Sequence, residues 1–203
     1  MTLPRVQPII PIPRKEPFDD PEWLFDFKYD GFRALLYFEQ GMRCRFVSRN
    51  DNTLSRFDAL CQAVAAELDV DSVILDGEVI ATDETGRPLF FDLVRGSRTP
   101  AYVAFDLLWL NGTDLLSLPL SERRRRMQSL LPKHSSVISE ALSVQGRGHE
   151  LFELMRSHDL EGIVAKRLDD RYDPRVRWYK IKNPDYSQKE GREDLFNRPR
   201  SGK

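Results

Sequence analysis

Two cysteines, three histidines and no apolar run long enough to span a bilayer mark this 203-residue sequence. Cys44 and Cys61 are too few for a disulfide scaffold or a tetrahedral zinc site. His134, His149 and His158 lie far apart, so a His/Cys metal centre is not expected. A membrane-spanning helix needs about 18 or more consecutive apolar residues. The opening Met1-Thr2-Leu3-Pro4-Arg5 lacks the charged-then-apolar order of a secretion signal. These absences point to a soluble protein in a reducing, cytoplasmic setting with no membrane partner. Excess charge is missing too: 31 Lys and Arg face 32 Asp and Glu, a formal net charge of −1. That argues against a globally basic nucleic-acid coat and leaves room for local basic patches. The length suits one sizeable domain rather than two large ones.

Against that background Lys28-Tyr29-Asp30-Gly31-Phe32-Arg33 stands out. Trp23 to Phe27 mixes aromatic and apolar residues as a half-buried strand does, and Asp30-Gly31 is a turn signal because glycine accepts positive φ. Lys28 therefore sits where a strand gives way to a turn, and Arg33 opens the next strand. A lysine amine, with a free pKa near 10.4, needs partial burial or a neighbouring cation to act as a nucleophile at neutral pH. Arginine stays charged and can clamp ribose or phosphate oxygens. Taken alone, the same hexapeptide also reads as a hairpin with a solvated lysine.

Residues 1–22 hold six prolines and read as an extended lead-in able to wrap the body. Strands are expected at Trp23–Lys28, Arg33–Glu39 and Arg43–Ser48, then a helix over Leu54–Leu68 with apolar residues at helical spacing. Val73–Ala81 is an apolar strand carrying Asp76 and Glu78 on one face, costly unless they meet a cation, a metal or hydroxyls. Phe90–Arg98 suggests a short helix and Tyr102–Leu110 a buried strand. Ser121 can cap a helix over Ser121–Leu131, whose Arg123 to Arg126 read as a solvated face, with phosphate contact the minority reading. Val137–Glu140 is a short strand and His149–His158 a helix. Leu160–Arg167 and Val176–Ile181 are strands, with Lys180 and Lys182 on one face. From Asn183 onward the chain is polar and reads as a loosely ordered tail. Strands and helices mix without regular βαβ alternation, which predicts an α+β fold with largely antiparallel sheets flanked by helices.

Six stretches, K-Y-D-G-F-R, S-R-N, L-D-G-E, A-F-D-L-L, E-G-I-V-A-K and W-Y-K-I-K, stand in one order. Together they resemble the nucleotidyltransferase superfamily of ATP-dependent DNA ligases, RNA ligases and mRNA capping enzymes. The resemblance is closest to the ATP-grasp-like adenylation domain of DNA ligases, in particular the ligase module of bacterial end-joining enzymes. It implies an adenylation domain over residues 23–183, with ATP and Mg²⁺ or Mn²⁺ as cofactors. It also implies that Lys28 attacks the ATP α-phosphate and carries AMP to nicked or broken DNA ends. By the same resemblance Asp26 faces the adenine edge, and Arg33 and Arg49 hold ribose or phosphate oxygens. Glu78 binds ribose hydroxyls, Phe105 stacks on adenine and Val164 presses on its other side. Glu161, with Glu78, places a divalent metal, and Lys180 and Lys182 grip the phosphates. Taken singly, Phe105 reads as core and the two lysines as a solvated strand face.

Ligases of this family usually continue into an OB-fold domain. The polar residues 184–203 are far short of the ~50 a domain needs, so no OB-fold domain is expected. Arg192, Arg198 and Arg200 are too loosely spaced to stand for the family's final basic motif. Three readings follow: a minimal DNA ligase, with a separate DNA-clamping or repair protein as a partner; an RNA ligase or partial adenylyltransferase; and a non-catalytic module that binds nucleic-acid ends or repair proteins. Intact Lys28, Glu78, Glu161, Lys180 and Lys182 weigh against the third.

Overall fold

The computed structural model describes residues 3–42 and 44–189. The apolar runs become β1 (Ile12–Pro13), β2 (Trp23–Phe27), β3 (Phe32–Glu39) and β4 (Arg45–Ser48). Helix α1 (Asp58–Ala66), strand β5 (Ser72–Ile80), helix α2 (Phe90–Arg95), and strands β6 (Ala101–Leu110) and β7 (Thr113–Asp114) follow. The chain then forms α3 (Leu120–Leu130), β8 (Ile138–Glu140), β9 (Ser143–Gln145), α4 (Gly148–Ser157), β10 (Gly162–Arg167) and β11 (Tyr179–Lys182).

Two sheets result. One runs β1-β11-β10-β2-β9, the other β4-β3-β5-β6-β7 with β8 also on β6. Only β1–β11 and β6–β8 pair in parallel among these strands, so the fold is α+β with mainly antiparallel sheets, as expected. The second sheet is buried on both faces. Successive strand residues point to opposite sides, so Ala34 and Leu36 of β3 join a core with α1 and α3. Leu35 and Tyr37 join a second core with Val6, Ile9 and Trp178. The first sheet packs Phe25, Ile163 and Ile181 on Leu151, Phe152 and Met155 of α4.

The lead-in therefore supplies core residues, and β1 extends the first sheet at its β11 edge. Element ends shift by a few residues. The expected Leu54–Leu68 helix begins as a 3₁₀ turn at Ser55–Phe57. Helix α2 stops at Gly96, whose φ of 71° is left-handed. Ser121 does not cap α3: the helix starts at Leu120, behind Pro119, and the Ser121 N–H donates to the Leu168 carbonyl. Only part of the arginine run on α3 is a solvated face, Arg125 being exposed and Arg126 partly so. Arg123 and Arg124 are buried, because β6 and the β8–β9 segment offer them acceptors. Cys44 and Cys61 are joined as a disulfide between the start of β4 and α1, with Cα atoms 5.9 Å apart. The expected reducing setting would leave that pair as thiols.

The expected tail also differs. Asn183 and Tyr186 are buried and packed, and only the part beyond Lys189 lies outside the described residues, with Arg192, Arg198 and Arg200. Arg43, the expected first residue of its strand, lies outside them as well.

Candidate active site

Lys28 occupies the short link Lys28–Gly31 that carries the chain from β2 in one sheet to β3 in the other. It is thus a crossover between sheets rather than a hairpin. Gly31 is needed there for space, not for positive φ: a Cβ would stand 2.1 Å from the Val79 carbonyl oxygen. Behind the link, the Lys28 N–H donates to the Gly162 carbonyl at 2.9 Å. Gly162 has φ +137°, and a Cβ on it would meet the Ile181 carbonyl oxygen at 2.1 Å. Only glycine lets β10 start so close to β11, directly after Glu161. The result brings Lys28 Nζ to 2.5 Å from Glu161 Oε2, with Lys182 Nζ 3.5 Å from Glu161 Oε1.

Beside this pair a cleft of about 520 Å³ opens between the sheets. Val164 of β10 lines it from the first sheet, and Arg33, Glu78 and Phe105 from the second. Asp26 lies in register with Val164, as Lys180 does on its other side, and both reach the cleft. Exposed Arg49, just past β4, contributes to the rim. Of the expected site residues, Glu161 and Lys182 stand beside the cleft rather than in its lining, and the other eight line it.

Arg33 is already heavily engaged. Its guanidinium donates twice to the buried Asp76 carboxylate, at 3.1 and 2.7 Å, and once to the Ile9 carbonyl at 2.5 Å. The Tyr172 hydroxyl donates to the same carboxylate at 2.6 Å. Asp76 thus serves Arg33 and not the cleft. Glu78, paired with Arg33 across β3 and β5, is half-buried. Desolvation pushes its carboxyl up to about 8, against the pull of Lys28 and Arg33 and with help from Glu161 and Asp76. Burial also moves Lys180 below the usual lysine value, reinforced by Lys182, Lys28 and Arg49.

Lys166 closes the E-G-I-V-A-K stretch, and the resemblance assigns it no role. Two residues after Val164, it points into the same cleft. Its Nζ is buried 2.5 Å from Asp26 Oδ2, 4.2 Å from the Phe105 ring centre and 4.6 Å from that of Trp178. Burial lowers its pKa, opposed by the Asp26 charge. Strand alternation could have revealed Lys166. Nothing local could have revealed Ile9, Tyr172 or Trp178, which arrive from distant parts of the chain.

Two sheets joined by a lysine-bearing crossover, with a cleft between them, define a nucleotidyltransferase fold. The chain belongs to the family described as ATP dependent DNA ligase domain, which matches residues 14–182. The multifunctional non-homologous end joining protein LigD of Mycolicibacterium smegmatis is 34% identical over 79% of this chain and 21% of its own length. The SPbeta prophage-derived DNA ligase-like protein LigB of Bacillus subtilis is 31% identical over 90% of this chain and 69% of its own. A mycobacterial DNA ligase D structure complexed with ATP and MES superposes with a TM-score of 0.72 at 29% identity. That match covers 87% of this chain and 60% of the other. The chain therefore spans about a fifth of the LigD protein it matches.

Proposed function

We propose that this chain is the catalytic core of an ATP-dependent DNA ligase working through a lysyl-AMP intermediate on Lys28. The observation that carries the reading is the placement of Lys28 at the sheet crossover, lining a cleft that Phe105 and Val164 enter from different sheets. A volume of about 520 Å³ suits a nucleotide-sized ligand. Adenine sits between Phe105 and Val164, an aromatic ring and an aliphatic side chain that can hold a purine face. Its edge meets Asp26, whose buried oxygens receive no hydrogen bond of good geometry from the described residues despite the nearby Lys166. Glu78 and Arg33 bind ribose, Arg49 binds ribose or phosphate oxygens at the rim, and Lys180 and Lys182 neutralise phosphate charge.

In the first step the Lys28 amine gives up a proton, which Glu161 Oε2 at 2.5 Å is placed to hold. The Nζ–P bond forms as the bond from the α-phosphorus to the bridging oxygen breaks, and pyrophosphate leaves with that electron pair. In the second, a 5′-phosphate oxygen attacks the same phosphorus, the N–P bond breaks and Lys28 regains its proton. In the third, a 3′-hydroxyl attacks the activated 5′-phosphate and AMP departs. Positioning and charge neutralisation dominate such transfers.

Among the described residues no cluster of three or more His, Cys, Asp or Glu side chains stands together as a metal cage. Glu161 and Glu78 would fit a magnesium or manganese ion that fills the rest of its shell with water and phosphate oxygens, its binding displacing the proton that burial otherwise holds on Glu78. When bound, the ion supplies Lewis-acid neutralisation of phosphate charge. Nicked or broken DNA ends are the substrate, with a separate clamping or repair protein as partner; use of ATP favours a cytoplasmic site of action, in which Cys44 and Cys61 would stand reduced. Sealing of nicked duplex DNA, compared with circularisation of single-stranded RNA, tests the substrate. DNA sealing that Lys28→Ala abolishes is the expected result; RNA activity without DNA activity overturns the choice.

A further inference from the structure

We infer that Asn183 and Tyr186, in the turn directly after β11, are positioning residues for the Lys28–Glu161 pair, an inference that rests on the adenylation reading above. Lys28 and Glu161 both lie outside regular strands, yet their side chains meet at 2.5 Å. A nucleophile held this way needs support behind both partners, because a misplacement of about 1 Å can cost on the order of a hundredfold in rate. The turn supplies it to each. The Tyr186 hydroxyl donates to Asp30 Oδ2 at 2.7 Å, inside the crossover that carries Lys28, and both residues are buried. The Asn183 N–H donates to the Glu161 carbonyl at 2.9 Å, and Asn183 Nδ2 donates to the Leu160 carbonyl at 3.1 Å.

The turn is self-bracing. Asn183 Oδ1 accepts the Asp185 N–H at 3.0 Å, an Asx turn that reverses the chain and brings Tyr186 back towards the crossover. Four residues thus reach from β11 to both members of the pair. Neither Asn183 nor Tyr186 lines the cleft: Asn183 Nδ2 is turned to the Leu160 carbonyl and the Tyr186 hydroxyl to Asp30. Their effect is on the geometry of Lys28 and Glu161.

Tyr186→Phe removes the hydroxyl and keeps the ring that fills the site. The measurement is the single-turnover rate of AMP attachment to pyrophosphate-discharged protein across ATP concentrations, with thermal melting alongside. The expected result is a rate at saturating ATP at least about tenfold below wild type. The half-saturating ATP concentration should stay within about twofold, since no nucleotide contact is lost. Because the hydroxyl acts through Asp30, adding Tyr186→Phe to Asp30→Ala should cost nothing further. A wild-type rate for Tyr186→Phe, a loss confined to ATP affinity, or full multiplicative losses in the double variant overturns the inference. Wild-type protein that takes no AMP overturns the adenylation reading itself. Should Tyr186→Phe fail to fold, Asn183→Ala takes the same measurement with the same opposing outcomes.

Discussion

Glu78 shows how much one residue's environment alters its chemistry. With a carboxyl pushed from 4.5 up to about 8, folded protein keeps a proton over a pH range in which the unfolded chain has released it. Stability from this group is therefore full below about pH 4.5 and is lost as pH rises through about 8. Glu78→Gln should flatten that part of the pH dependence, gaining about 4 kcal/mol relative to wild type between pH 5 and pH 8.5. Urea midpoints at the two pH values check this, and parallel curves for the two proteins would refute it. Phe105 carries a second prediction. Losing a base-stacking ring costs about 1–3 kcal/mol, so Phe105→Ala should raise the half-saturating ATP concentration roughly tenfold, with a smaller change in the rate at saturation. Titration of AMP attachment against ATP gives the answer, and an unchanged midpoint would remove Phe105 from the base site. At this scale the sequence was informative where a motif fixed a residue type, as at Lys28, Glu78 and Glu161. It was silent where a partner arrives from far along the chain. Asp76 shows both, an expected buried acid whose partners Arg33 and Tyr172 belong to separate segments.

At the scale of elements, α3 separates two kinds of arginine that look alike in sequence. Arg123 is fully buried and forms paired hydrogen bonds of 2.7 and 2.8 Å to the equally buried Asp106 of β6. Arg125 is exposed and, among the described residues, forms its ion pair with Glu122, one turn away. Arg123→Ala would strand a buried carboxylate and should cost about 3–5 kcal/mol of stability. Arg125→Ala should cost less than about 1 kcal/mol. Chemical denaturation of the two variants measures the contrast, and equal losses would contradict the burial described here. The cost of a buried acid, read from the sequence only at Asp76 and Glu78, holds equally for Asp106 in its apolar strand. A charge run by itself could not say which arginine answers. The lead-in follows the same logic: its prolines announce extended chain, but the burial of Val6 and Ile9 depends on faces of β3, β5 and β6 that only the folded sheet presents. The short strands β1, β7 and β9 are likewise held by their neighbours rather than by their own two or three residues.

On the scale of the whole molecule, two sheets packed by separate helices leave a cleft between them, and the crossover from β2 to β3 puts Lys28 at its side. The α+β class and the order of the motifs could be read from the sequence because each motif marks a strand or its end. The division into two sheets could not, since local alternation is the same whether consecutive strands pair or part company at Gly31. The central claim is that Lys28 becomes covalently bonded to AMP. Incubation with α-labelled ATP and a divalent metal, followed by denaturing electrophoresis of wild type and Lys28→Ala, tests it most directly. A labelled band that survives denaturation in wild type and disappears in Lys28→Ala is the predicted result. Equal labelling of Lys28→Ala, or an unlabelled wild type whose intact mass shows bare protein, would contradict the account.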